Sequence, residues 1–240
     1  DNNDCPSDSV SAIIERANKN AGKPKGDFTI IHGDIAVFTG LQNADPCTSS
    51  ECKWPRSSDG KVYVPYVISR QYSPSEKNII QTALDSFQKS TCIQFIPHTK
   101  EVDYINIISG DGCYSYIGRV GGRQVLSLQR DGCVYHKTAQ HELLHALGFH
   151  HEQCRSDRDK HIEILFKNVI KGTENNFKLV DTNNLNTPYD YNSVMQYDRF
   201  AFSKNDKPTM IPIPDKNVPI GCAKKMSPND ILRVNRLYCT

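Results

Sequence analysis

The chain has 240 residues, nine of them cysteine, with 29 Lys and Arg against 27 Asp and Glu for a formal net charge of +2. Residues 1–42 hold six acids and four Lys or Arg, so the rest carries a mild and unclustered positive excess, too little for a nucleic-acid partner. No apolar run approaches the roughly 18 residues that a membrane span needs, and no signal-peptide pattern opens the chain at Asp1, as expected of a processed secretory protein.

Residues 1–42 lack the cysteine density of the remainder and read as a separate piece. A short helix is expected over residues 11–21, with Ile13, Ile14 and Ala17 on one side, ended by Gly22-Lys23-Pro24-Lys25-Gly26. Residues 28–37 are apolar but interrupted by Gly33-Asp34, a pattern that suits a turn between two strands. Residues 61–68 are rich in β-branched side chains and read as a strand. Ser73-Pro74-Ser75-Glu76 is a capping box with proline at the first helical position; the helix it opens puts Ile79, Ile80, Ala83, Leu84 and Phe87 on one face. Strands are expected at residues 93–96, 104–108 and 124–128, and a helix at residues 138–147. Beyond it the pattern is irregular until Ser227-Pro228-Asn229-Asp230 caps a helix through Ile231, Val234 and Leu237. The expected class is α+β, with regular elements concentrated in the first half.

The helix at residues 138–147 carries the chemistry. His141-Glu142-Leu143-Leu144-His145-Ala146-Leu147-Gly148-Phe149-His150-His151 reads H-E-x-x-H-x-x-G-x-x-H. His141 and His145 are one helical turn apart, so both imidazoles can reach one zinc ion. Glu142 stands beside them as a base for water at the metal. Gly148 can take the left-handed turn that brings His151 round as third ligand. Three protein ligands leave a coordination position open, as in catalytic zinc sites. Further on, Ser193-Val194-Met195-Gln196-Tyr197 places Met195 in a tight turn, the second mark of the metzincin peptidases.

Around these marks the chain resembles the astacin family, from about Cys47 to Cys239. Glu152 directly follows the third histidine, Arg155-Ser156-Asp157-Arg158-Asp159 continues the pattern, and Gly112-Cys113-Tyr114-Ser115-Tyr116-Ile117-Gly118 and Asp131-Gly132-Cys133-Val134-Tyr135-His136 match the family's cysteine-flanked segment. Cys47-Thr48-Ser49-Ser50-Glu51-Cys52 narrows the likeness to the six-cysteine astacins of fish, the group of hatching enzymes, nephrosin and alveolin. Two positions depart from the family: Gln196, where many members carry histidine, and His150, which often has an aromatic counterpart. His150 is expected beside the ligand set or exposed, with His151 as the ligand.

The resemblance implies a two-lobed metzincin (zincin-like) catalytic domain over residues 43–240, one zinc per chain in its central cleft, and residues 1–42 as an inhibitory prosegment. It implies Tyr197 as a movable fifth ligand that stabilises the oxyanion. Ile31-His32-Gly33-Asp34 stands where astacin zymogens carry F-x-G-D, which implies Asp34 as the prosegment's zinc ligand. A substrate is expected to lie extended along a strand near residues 113–116. The activating cut falls before Asn43 or Asp45, after which the new N-terminus packs toward Glu152. The family pairs Cys92 with Cys239 and Cys113 with Cys133. Cys47 and Cys52 suit a local loop, and Cys154 with Cys222 is the remaining expected bridge. Cys5 is left free, bonded to another chain, or removed with the prosegment. The expected protein is a secreted, monomeric zinc endopeptidase, made as a latent precursor. Its partners are extracellular proteins such as egg-envelope or matrix proteins and its own prosegment, with neither membrane nor nucleic acid. The rival reading is a zinc-binding but catalytically silent recognition protein, whose mark would be a lost Glu142 or a broken ligand set. A redox protein would need a C-x-x-C pair, which the sequence lacks.

Overall fold

The computed structural model describes Cys5, residues 8–20, Lys23, residues 26–39 and residues 52–240. Its first helix, α1 (Val10–Ala17), is opened by Ser9, whose hydroxyl accepts from the Ala12 N–H at 3.1 Å. The helix stops short of the expected end, at Asn18, whose side-chain amide donates to the Gly33 and Cys113 carbonyls. Two strands, β1 (Phe28–Ile31) and β2 (Ile35–Phe38), then form an antiparallel hairpin around His32-Gly33-Asp34.

The main body follows as β3 (Val62–Ile68), α2 (Pro74–Gln88), β4 (Ile93–Pro97), β5 (Tyr104–Ile108), β6 (Cys113–Tyr116), β7 (Arg123–Leu128) and α3 (His136–Ala146). Both hydrogen bonds of the capping box open α2, which buries Ile80, Ala83, Leu84 and Phe87. The sheet runs β1-β2-β6-β7-β5-β3-β4. Strands β3, β4, β5 and β7 are parallel, β6 runs antiparallel to β7, and β2 adds to β6 in parallel through Ile35↔Ser115 and Ala36↔Tyr116. The segment of residues 113–116, expected to take up substrate, is therefore occupied by the chain's own N-terminal hairpin. Strand β6 shows no alternation in the sequence because all four of its residues are buried.

The first lobe packs α2, α3 and the sheet around Val64, Phe87, Ile105, Leu126, Leu143 and Leu147. The N-terminal piece is not a separate body: Val10, Ile13 and Ile14 of α1 belong to this same core. The second lobe gathers Ile162, Phe177, Tyr189, Tyr197, Met210 and Ile220 around a short pair, β8 (Ile162–Ile164) and β9 (Met210–Pro212). Turns and single 3-10 turns make up most of the rest, and α4 (Pro228–Tyr238) returns to the first lobe with Val234 and Tyr238. Among the described residues no helix is long and apolar enough to cross a membrane.

Cys92–Cys239 and Cys113–Cys133 are bridged. Cys52 is disulfide-bonded, and Cys47 lies outside the described residues, as do residues 42–46 with the expected cut. The expected Cys154–Cys222 bridge does not form. Cys222 is bonded to Cys5, across a Cα separation of 5.0 Å. Cys154 is a free thiol, buried just past the third histidine with its Sγ 3.4 Å from the Asn176 carbonyl oxygen. The N-terminal run meets Cys222 because α1 docks beside Asp198 through Ser9 and Ser11, an approach that cysteine spacing does not encode.

Candidate metal centre

Helix α3 sets His141 and His145 on its inner face, and both are fully buried with Glu142 between them. The helix ends at Gly148, whose φ of +106° is open to glycine and strained for other residues. The chain swings through it, and His151 joins the other two: the Nε2 atoms of His145 and His151 are 3.2 Å apart. His150 stays outside this group. Its ring lies edge-on to His32 at 5.6 Å, and neither of its nitrogens has a hydrogen-bond partner.

The fourth member comes from the N-terminal hairpin. Asp34 Oδ2 lies 2.9 Å from His141 Nε2, and Oδ1 lies 3.0 Å from His151 Nε2 and 3.4 Å from His145 Nε2. Gly33 makes this approach possible. Its φ is +93°, and a β-carbon there would stand 2.9 Å from the Tyr197 hydroxyl. Ile31, in place of the family's phenylalanine, ends β1 and is 41% exposed, so the exchange leaves the turn intact. Asn18 holds the hairpin against β6, donating to the carbonyls of Gly33 and Cys113 at 2.8 and 2.7 Å and accepting from the Cys113 N–H at 2.9 Å.

This donor set fits zinc. The Nδ1 N–H of His141 donates to the Val194 carbonyl at 2.8 Å and that of His145 to the Phe149 carbonyl at 2.7 Å, which turns both Nε2 atoms inward. Burial pushes the His151 pKa down to about 3, which keeps that ring uncharged. Asp34 Oδ1 has no hydrogen-bond donor. Lone pairs at these separations repel unless a cation lies between them. Tetrahedral zinc with bonds of about 2.0–2.1 Å sets its ligand atoms roughly 3.3 Å apart, close to the spacings of 2.9–3.4 Å found here.

Around the cluster, Tyr197 is buried with its ring 4.5 Å from that of His151, and its hydroxyl donates to the His32 carbonyl at 3.4 Å. Met195 is buried, and its carbonyl accepts from the Glu152 N–H at 3.1 Å. Gln196 is also buried, accepting from the Tyr189 hydroxyl and donating to the Tyr197 carbonyl at 2.8 Å. Glu142 has neither carboxylate oxygen hydrogen-bonded. Burial, and then the negative charge of Asp34, push its pKa well above the ordinary carboxylate range.

Two supporting side chains escape a reading of motifs. Asp230, the third residue of α4, accepts from Ser193 Oγ at 2.6 Å and from the Val194 N–H at 2.9 Å. It thereby fixes the turn whose Val194 carbonyl orients His141. Arg233, one turn on, clamps Glu152 through two bonds of 2.6 and 2.9 Å beside a cavity of about 230 Å³. Asp230 was visible in the sequence only as a capping residue, and Arg233 only as a charge on a helix.

Residues 48–239 match Astacin (Peptidase family M12A). The low choriolytic enzyme of Oryzias latipes is 47% identical over 231 residues, covering 95% of this chain and 83% of that protein. High choriolytic enzyme 1 of the same fish is 49% identical over 213 residues, covering 88% and 78%. The solved structure of high choriolytic enzyme 1, a hatching enzyme zinc-protease of the medaka, is similar with a TM-score of 0.78 at 51% identity, over 82% of this chain and 98% of that one.

Proposed function

The chain belongs to the astacin family of zinc metalloendopeptidases, and we propose that it is a secreted member held latent by residues 1–42 through Asp34. The observation that carries this reading is the Asp34 carboxylate, buried within 2.9–3.4 Å of three imidazoles that belong to the catalytic motif. A carboxylate tethered to the same chain has an effective concentration of roughly millimolar or more, so it need not be a strong ligand in isolation. Latency also reaches Glu142, whose carboxyl is pushed up by burial and then by the Asp34 charge beside it.

His141, His145 and His151 would hold the ion, and zinc bound there supplies a Lewis acid that acidifies water and polarises the scissile carbonyl. Removal of the N-terminal segment takes away the Asp34 charge and opens Glu142 to water, which favours ionisation. Glu142 then accepts a proton from the attacking water and passes it to the leaving amine. The Tyr197 hydroxyl, released from the His32 carbonyl, becomes a donor to the oxyanion. Loss of β2 exposes the edge of β6, to which an extended peptide adds through backbone hydrogen bonds. Protein substrates follow from this edge, and the likeness to choriolytic enzymes supports egg-envelope proteins among them. The bridged cysteines fit an oxidising, extracellular compartment.

Hydrolysis of an unfolded protein by the intact chain, by Asp34→Ala and by processed chain tests the reading. The intact chain should be silent and Asp34→Ala at least about tenfold more active than it. Processed chain should be active, lose activity on chelation and regain it with zinc. Intact chain as active as the variant would overturn latency, and activity surviving complete zinc removal would overturn the metal's role.

A further inference from the structure

The N-terminal segment is held to the catalytic body at both ends. At one end the chain continues through residues 40–51 into the catalytic domain. At the other, Cys5 is bonded to Cys222, which lies shortly before α4. Everything that blocks the site, α1 and the Asp34 hairpin, lies between these two attachments.

We propose that the Cys5–Cys222 bridge is a second lock on latency: one backbone cut between Thr39 and Cys47 leaves the inhibitory segment covalently attached, and thiol–disulfide exchange at that bridge releases it. This rests on the latency reading above. A singly cut chain keeps Asp34 on a tether, so the blocking carboxylate still acts at roughly millimolar effective concentration. The non-covalent contacts near the bridge reinforce it. Ser9 and Ser11 donate to Asp198 Oδ2 at 2.7 and 2.6 Å, and the Phe202 N–H donates to Glu15 at 3.1 Å. Val10, Ile13 and Ile14 are buried in the main core and add apolar burial to the same attachment.

The bridge is also open to a reagent. Cys5 and Cys222 are partly exposed, and Cys5 lines a cavity of about 280 Å³ with Ser9, Glu15, Asp198 and Arg199. Cys113 and Cys133 are fully buried. Access is one determinant of exchange rate, so a small thiol has a reason to prefer Cys5–Cys222 over that bridge. In the exchange, the thiolate of a low-molecular-weight thiol attacks one of the two sulfurs. The Sγ–Sγ bond breaks, and its electron pair leaves on the other sulfur, which takes a proton. A second thiol resolves the mixed disulfide. Two small thiols are oxidised to one disulfide, and Cys5 and Cys222 are reduced to thiols.

The test replaces residues 43–46 by the recognition sequence of a specific protease, so that a single cut is made, in the otherwise native chain and in Cys5→Ser/Cys222→Ser. After cutting, the native segment should stay with the catalytic body on a non-reducing gel and separate on a reducing one. Its hydrolysis of an unfolded protein should be about tenfold or more below that of the cut double variant. Glutathione, at a level that mass spectrometry shows to open Cys5–Cys222 alone, should raise the native chain to the variant's rate and leave the variant unchanged. A segment lost on the non-reducing gel, or equal rates with the segment still bridged, would overturn the proposal. Silence of the uncut native chain together with full activity after one cut would sink the second lock and spare latency. Activity of the uncut chain would instead sink latency itself.

Discussion

Glu142 and Tyr197 touch the same small space and are expected to fail in different ways. Glu142 is fully buried and lies beside the cluster without belonging to it, so its substitution should spare the metal. Glu142→Gln should keep zinc near one per chain while hydrolysis by processed enzyme falls on the order of 10²–10⁴-fold, measured by metal analysis and peptide turnover. Zinc lost from that variant would make Glu142 a ligand and not a base. Tyr197→Phe removes only a hydroxyl, which donates to the His32 carbonyl while the N-terminal hairpin is in place. In processed enzyme it should lower kcat more than it changes KM, because the oxyanion exists only in the transition state. A change confined to KM would assign the tyrosine to substrate binding. At this scale the sequence was readable where the chemistry demands fixed local spacing, as at His141, Glu142 and His145. It was opaque at Asn18 and Arg233, whose roles depend on hydrogen bonds across the fold.

Helix α4 and the Met195 turn form one device. The capping box of α4 uses Asp230 for its own N-terminus, and the same carboxylate holds the Ser193-Val194 turn that orients His141. Asp230→Asn replaces one accepting oxygen by a donor and should loosen that turn. Zinc affinity should fall about 10–100-fold with helix content unchanged, by chelator competition and circular dichroism. Unchanged affinity would detach the cap from the metal site. The long periodic elements were legible, α2 and β5 nearly to the residue, because each buries one regular face. The four-residue β6 was not legible as a strand from its pattern. It is buried on both faces and flanked by β2 and β7, so its residues show no alternation.

Across the whole molecule, the cluster of His141, His145, His151 and Asp34 sits where the two lobes and the N-terminal hairpin meet, with side chains drawn from α3, the loop after it and the turn before β2. Composition marked residues 1–42 as a distinct piece, yet α1 shares the main core because its apolar stripe finds its cover there. Cysteine count announced a bridged protein but could not give the partner of Cys222, since connectivity depends on where α1 docks. In the uncut chain Asp34 is proposed to take the open position of a zinc ion, and anomalous diffraction at the zinc edge from crystals of that chain tests this placement. The predicted result is one zinc bound by Nε2 of His141, His145 and His151 and by an Asp34 carboxylate oxygen. Zinc on the three histidines with water in the fourth position, and Asp34 turned away, would contradict it.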